Sequence, residues 1–165
     1  YGMPLGMVNR LGYPNAHLKT YSAWGGAASI ELNQAPEILF KANSEFNTIT
    51  RMATLKLEVR AQTNQSNAVG VALYLKESGI VSPQLMPDQK RDPDYVHNNV
   101  FRAAPWGPFG QEVWASGVAA EGLSTSLDAS TTLDASWKPE HVQWVAIAYD
   151  ITTYRVLQAV QIDVK

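Results

Sequence analysis

The segment Thr54–Ala61 most constrains the fold, because Leu55, Leu57, Val59 and Ala61 alternate strictly with Thr54, Lys56, Glu58 and Arg60. A period of two puts each set on its own face of an extended strand, so this segment belongs in a sheet with one face buried. The alternation returns at Val69, Val71, Leu73 and Leu75 after the polar cluster Gln62–Asn67, and the two segments are expected to pair as a hairpin. Further strands are expected at Glu37–Asn43, Tyr95–Arg102, Gln111–Ala119, Ser124–Ser136, Val142–Tyr149 and Tyr154–Val164, with Asp150–Thr153 closing a last hairpin. Eight strands punctuated by Pro, Gly, Asn and Asp, without helical intervals, predict a mainly β fold: a two-sheet antiparallel sandwich or a barrel. Its inner faces should include Leu55, Leu57, Val59, Val71, Leu73, Ile147 and Val160. Trp144–Tyr149 is apolar on both faces, as suits a central strand covered on one side by the other sheet and on the other by loops.

Residues 1–35 read differently. Leu5–Arg10 has the character of a strand, Gly12–Asn15 of a turn, and Ser22 is placed to cap a helix carrying Trp24, Ala28 and Leu32 on one face, though Gly25 and Gly26 weaken it. Pro36 marks the boundary between this small α/β segment and the β body of residues 36–165. At 165 residues the chain has room for one domain with an appendage. Residues 1–35 are too few for a core of their own and should dock on the body or on a segment preceding them. A start on Tyr rather than Met suggests a processed or truncated product.

Charge and composition remove several classes of function. Thirteen Lys and Arg against fifteen Asp and Glu give a net charge of -2, no field for gathering nucleic acid or anionic lipid. The chain has no Cys, so disulfide, thiolate and zinc-thiolate chemistry are closed to it. Its longest apolar run, Trp144–Tyr149, falls far short of the roughly 20 residues of a spanning helix. An eight-stranded transmembrane barrel is disfavoured by the helix before Pro36, the doubly apolar Trp144–Tyr149 strand and the lack of aromatic girdles.

No catalytic constellation emerges, and no cofactor motif. His17, His97 and His141 are widely separated, and His97 reads as a hydrogen-bonded structural residue within a strand. Neither a nucleophile elbow nor a phosphate-binding glycine loop is present. The long irregular stretch Glu77–Asp94 contains Asp88, Asp92 and Asp94, oxygen ligands available to calcium, but Lys90 and Arg91 lie among them, and a solvated loop is the better reading. Asn64-Gln65-Ser66 matches a glycosylation sequon of low specificity. The most distinctive candidate is Ala104-Pro105-Trp106-Gly107-Pro108-Phe109-Gly110, a loop stiffened by Pro and Gly that carries two large aromatics. Exposed, Trp106 and Phe109 are anchors for a sugar ring or a partner side chain; tucked inward, they close the sandwich. Were this loop and Glu77–Asp94 to emerge at one end of the sandwich, Arg91 would add a polar contact to the same ligand-binding site.

Specific segments resemble a known family. Leu73-Tyr74-Leu75-Lys76-Glu77-Ser78-Gly79-Ile80-Val81, Tyr95-Val96-His97-Asn98-Asn99-Val100-Phe101-Arg102-Ala103, and Trp144-Val145-Ala146-Ile147-Ala148-Tyr149-Asp150 with Val156-Leu157-Gln158-Ala159 are similar in order and spacing to the twenty-eight-kilodalton outer-membrane protein family of Bacteroidetes. The resemblance spans nearly the whole chain. It implies an immunoglobulin-like sandwich over residues 36–165, and it makes residues 1–35 the tail of a thioredoxin-like domain whose earlier part lies upstream. Met3-Pro4-Leu5-Gly6-Met7-Val8-Asn9-Arg10 is similar to the proline-turn segment of that domain, with Pro4 as its cis-proline. No catalytic residues follow from the resemblance. The function it implies is a non-catalytic interaction or structural module of an exported, outer-membrane-associated lipoprotein of the cell envelope, with an envelope protein or a glycan as partner. A carbohydrate-active enzyme or glycan-binding module on the sandwich is the alternative.

Overall fold

The computed structural model describes residues 4–165. The body is mainly β, as the alternation predicts, with several antiparallel sheets, of which the two larger ones share the core. One sheet has three strands in the order β12 (Ser124–Thr132), β4 (Met52–Ala61), β3 (Ile38–Asn47). The other has five. β5 (Val69–Glu77) pairs on one side with β13 (Val142–Asp150), which pairs in turn with β14 (Val156–Asp163). On its other side β5 pairs with two short strands in succession, β10 (Val100–Ala103) and β11 (Gln111–Trp114).

Leu55, Leu57 and Val59 of β4 and Val71, Leu73 and Leu75 of β5 are buried in one core shared by the two sheets. Across it, Trp144 Nε1 of β13 donates to Ser44 Oγ of β3 at 3.0 Å, and Trp114 Nε1 of β11 donates to Thr125 Oγ1 of β12 at 2.8 Å. Val160 packs against this core. Truncating Leu57, 1% exposed, to alanine is expected to cost about 2–5 kcal/mol. A loss under about 0.5 kcal/mol in denaturant melts would contradict its place in the core.

Three expectations about this body need correction. β4 and β5 do not pair; they lie in opposite sheets, each facing the core with its apolar set. Alternation fixes which side chains point inward, and two strands that face each other across a core show the same signature as two that share a sheet. Ile147 is also on the other face. Val142, Trp144, Ala146 and Ala148 are the buried set of β13, and Ile147 is half-buried on the outer side. Finally, Glu77–Asp94 is not irregular. Beyond β5 and β10 the chain continues as a two-stranded ribbon, in which β6 (Ile80–Val81) pairs with β9 (Val96–His97) and β7 (Gln84–Leu85) with β8 (Arg91–Asp92).

Residues 4–35 form a short pair, β1 (Leu5–Gly6) with β2 (Lys19–Thr20), followed by α1 (Tyr21–Leu32). The strand expected over Leu5–Arg10 is thus two residues long, and the helix starts one residue before Ser22. Thr20 is the N-cap, without a side-chain capping bond. Trp24 sits over Gly6 and donates Nε1 to the Lys19 carbonyl at 2.9 Å. None of the residues of α1 is buried, and Leu32 is 85% exposed. The segment reaches the body at β14: Asn9 accepts the Val156 N–H at 3.0 Å, Tyr13 meets Tyr154 edge to face at 5.1 Å, and the Arg10 guanidinium lies 5.7 Å from the Tyr149 ring centroid. The Met3–Pro4 bond, expected to be cis, lies outside the described residues. No described helix is long and apolar enough to cross a membrane.

The β13–β14 turn is held by Asp150. Its Oδ1 accepts the N–H groups of Thr152 and Thr153 at 2.8 and 2.9 Å, and its Oδ2 accepts Asn67 Nδ2 at 2.8 Å. Burial alone would raise its pKa, but these donors together outweigh burial and hold the carboxyl below its ordinary value. A depressed folded pKa means stability that is complete above the unfolded value of about 3.9 and is lost as the pH falls through the folded one. The stability gap between wild type and Asp150→Asn is therefore expected to hold at neutral pH, to begin closing as the pH falls to about 4, and to close below that. A gap that did not change over that range would show that the turn does not depend on the charge.

Candidate functional site

Because β10 and β11 both pair with β5, Ala104–Gly110 is an excursion from a single sheet edge, beside the middle of β5. The even-numbered residues of β5, Gly70, Ala72, Tyr74 and Lys76, face away from the core, yet Ala72 is only 1% exposed. The excursion folds over this outer face. Tyr74 donates its hydroxyl to the Pro108 carbonyl at 2.7 Å, and Tyr149 donates its own to the Phe109 carbonyl at 2.6 Å. Two consecutive carbonyls are thus clamped by phenols from neighbouring strands. Burial, and secondarily the nearby Tyr74, pushes the Tyr149 pKa above its usual value, which keeps that hydroxyl a donor throughout the neutral range.

Two glycines permit the close approach. At Gly110, with φ of +68°, an added Cβ would lie 2.0 Å from the Val71 carbonyl oxygen. At Gly70 a Cβ would lie 2.7 Å from the Tyr149 ring, so only glycine lets that phenol reach across β5 to the loop.

The clamped loop separates its two aromatics. Trp106 is half-buried and packs against the shared core, whereas Phe109 is 67% exposed. Of the two alternatives, the inward one describes Trp106 and the displayed one Phe109, since the turn closed by Gly107 N–H to the Ala104 carbonyl at 2.9 Å directs the loop back onto the body. Sequence reading missed the companions of Phe109. Phe101 on β10 is 63% exposed and meets Tyr74 edge to face at 6.2 Å, so Phe101, Tyr74 and the Pro108–Phe109 turn form a connected aromatic surface on the outer side of the five-stranded sheet. The outward phase of Tyr74 between Leu73 and Leu75 was the available signal.

Arg91 does not join this surface. It lies exposed in β8, opposite Leu85, near the tip of the ribbon, with β9 between it and β10 in the chain. The ribbon leaves the end of β5, while the loop sits at its middle, and no strand pairing joins the two. Around Arg91, Asp88 Oδ1 accepts the Lys90 N–H at 3.1 Å and Asp92 Oδ1 accepts the Asp94 N–H at 3.0 Å, which makes both carboxylates turn-forming groups. Among the described residues no three His, Asp or Glu side chains gather as a metal would require. His97 Nε2 is 3.1 Å from the Ser82 carbonyl, a hydrogen bond within the ribbon.

A cleft of about 520 Å³ lies between α1 and β14. Glu31 and Glu37 both line it, but Glu31 already accepts Asn9 Nδ2 at 2.9 Å and Glu37 is paired with Arg155. Glu31 ties the N-terminal segment together, and Glu37 ties the start of the body to the chain just before β14.

A family model for outer membrane protein Omp28 matches residues 1–165. Among solved structures, the chain is similar to a domain of the outer membrane lipoprotein Omp28 from Porphyromonas gingivalis, with 19% identity, a TM-score of 0.55, and coverage of 80% of this chain and 91% of that one. At that identity the likeness is one of fold. No curated protein matches the sequence.

Proposed function

This chain belongs to the outer membrane protein Omp28 family and is an outer-membrane-associated component of the cell envelope, where we propose that it serves as a non-catalytic interaction module. The observation that carries this reading is Phe109, a large apolar ring left in solvent on a loop in which its own carbonyl and that of Pro108 are fixed by phenols from β13 and β5. A rigid aromatic loses little conformational entropy on binding, and loops held by a sheet are where recognition concentrates. The body acts as an immunoglobulin-like sandwich that presents this loop. Residues 1–35 serve as the closing part of a thioredoxin-like domain, a reading supported by α1, which buries none of its own residues and so needs a further surface to cover it. In this reading the whole protein is exported as a lipoprotein.

The test compares wild type with Phe109→Ala in quantitative capture of binding partners from envelope extract. Stability should change by less than about 0.5 kcal/mol, because the side chain is exposed and the alanine keeps the clamped carbonyl. Affinity for the captured partner should fall by about 2 kcal/mol. Equal capture by both proteins would remove Phe109 as the anchor and the interaction reading with it.

A further inference from the structure

We infer that the outer face of the five-stranded sheet is a saccharide-binding platform, selective for sugars that carry carbonyl or carboxylate acceptors. This deepens the interaction reading and rests on it. The aromatic half of the platform is Phe101, Tyr74 and Phe109. Its polar half begins one step along β5. Lys76, two residues from Tyr74 on the same face, donates from Nζ to Asn99 Oδ1 at 2.6 Å and to Gln161 Oε1.

An ammonium group only donates, so both carboxamides must turn their oxygens to Lys76 and their NH2 groups away from it. Asn99 is fixed a second time by its own N–H, which donates to Ser78 Oγ at 3.0 Å. The result is a preorganised set of N–H donors beside exposed rings. A pyranose has an apolar C–H face that lies on an aromatic ring and a polar rim that needs partners in the plane beside it. An acetamido carbonyl or a uronate carboxylate is a rim group that the outward NH2 donors of Asn99 and Gln161 complement, while Asp163, the acceptor on the same face, is already engaged by Gln143 Nε2 at 2.9 Å. A protein hot spot would be expected instead in a closed, desolvated pocket. Here the rings stand on an open sheet face next to hydrophilic groups.

The experiment is isothermal titration of the full chain with chitohexaose, a galacturonate hexamer and cellohexaose, which differ in carrying acetamido groups, carboxylates or neither. At least one of the first two should bind at least about tenfold more tightly than cellohexaose. Phe109→Ala and Lys76→Met should each weaken that binding by about tenfold or more, while Ile49→Ala, at an exposed turn of the other sheet, leaves it unchanged. Binding of all three sugars with equal affinity, or of none up to millimolar concentration, overturns the inference, as does an unaltered affinity in Phe109→Ala. If no sugar binds but capture of an envelope protein still depends on Phe109, the saccharide inference fails and the interaction reading stands. Loss of both dependences removes both.

Discussion

Replacing Arg102 by alanine is expected to cost about 3–5 kcal/mol, because it strands a buried carboxylate. Glu77, at the end of β5, is 2% exposed. Arg102 Nε and Nη2 both donate to its Oε2 at 2.8 Å, and the Lys138 N–H donates to its Oε1 at 3.0 Å. The guanidinium also lies 5.5 Å from the Trp137 ring centroid, so Arg102 ties β5 and β10 to the loop before β13. With the arginine gone, one backbone donor remains for a charge shut off from water. Removing both charges together, as Glu77→Met with Arg102→Met, should recover most of the loss, since two apolar side chains need no partner in the same space. It should not recover all of it, because the Lys138 N–H then loses its acceptor. Denaturant unfolding of the wild type, both single variants and the double variant measures each part. A cost below about 1 kcal/mol for Arg102→Ala would show the pair to be no more than a surface contact.

The parts of the fold legible in the sequence are those where one phase of a strand is apolar and the other polar. β4 is such a strand, and Leu55, Leu57 and Val59 lie in the core as the alternation requires. β13 is apolar in both phases, so nothing local distinguishes Trp144, Ala146 and Ala148 from Val145 and Ile147. The decision is made across the core, where the Trp144 indole finds Ser44. The ribbon was illegible for the opposite reason. Its paired segments are two residues long and interrupted by Pro83, Pro87 and Pro93, and neither face is buried enough to imprint a period. At α1, Thr20 and Ser22 both offer a capping hydroxyl, and neither makes the capping bond, so the start of the helix is set by β2 ending at Thr20.

The site shows the same division. Pro and Gly around Trp106 and Phe109 announce a rigid turn, and composition alone identifies the loop. Which ring is displayed depends on Tyr74 and Tyr149, about 30 residues before and 40 after the loop, whose hydroxyls seize consecutive carbonyls. Arg91 was drawn into the site because loops of a sandwich gather at its ends. The excursion at Ala104–Gly110 leaves from the middle of a sheet edge, between two strands that share β5, and no local signal marks that arrangement.

Gly110→Ala is expected to cost about 3–5 kcal/mol and to release the loop from the sheet. The new Cβ would lie 2.0 Å from the Val71 carbonyl oxygen and 2.5 Å from the Ala72 Cα, both of them backbone atoms of β5. That strand cannot retreat, because it is bonded to β13 along its length and to β10 and β11 on the other side. The loop must move instead, giving up the Tyr74 and Tyr149 clamps and the packing of Trp106 against the core. Gly107→Ala is the control that separates contact from conformation. Its φ of +79° is as left-handed as that of Gly110, but an added Cβ there meets nothing within 4 Å. It should therefore cost only the conformational penalty of about 1–2 kcal/mol. Unfolding free energies give the stability difference, and tryptophan emission reports whether Trp106 becomes more exposed in the Gly110 variant alone. Equal costs for the two substitutions would mean that the loop does not press on β5, and Phe109 would then lose the rigidity on which its role as an anchor depends.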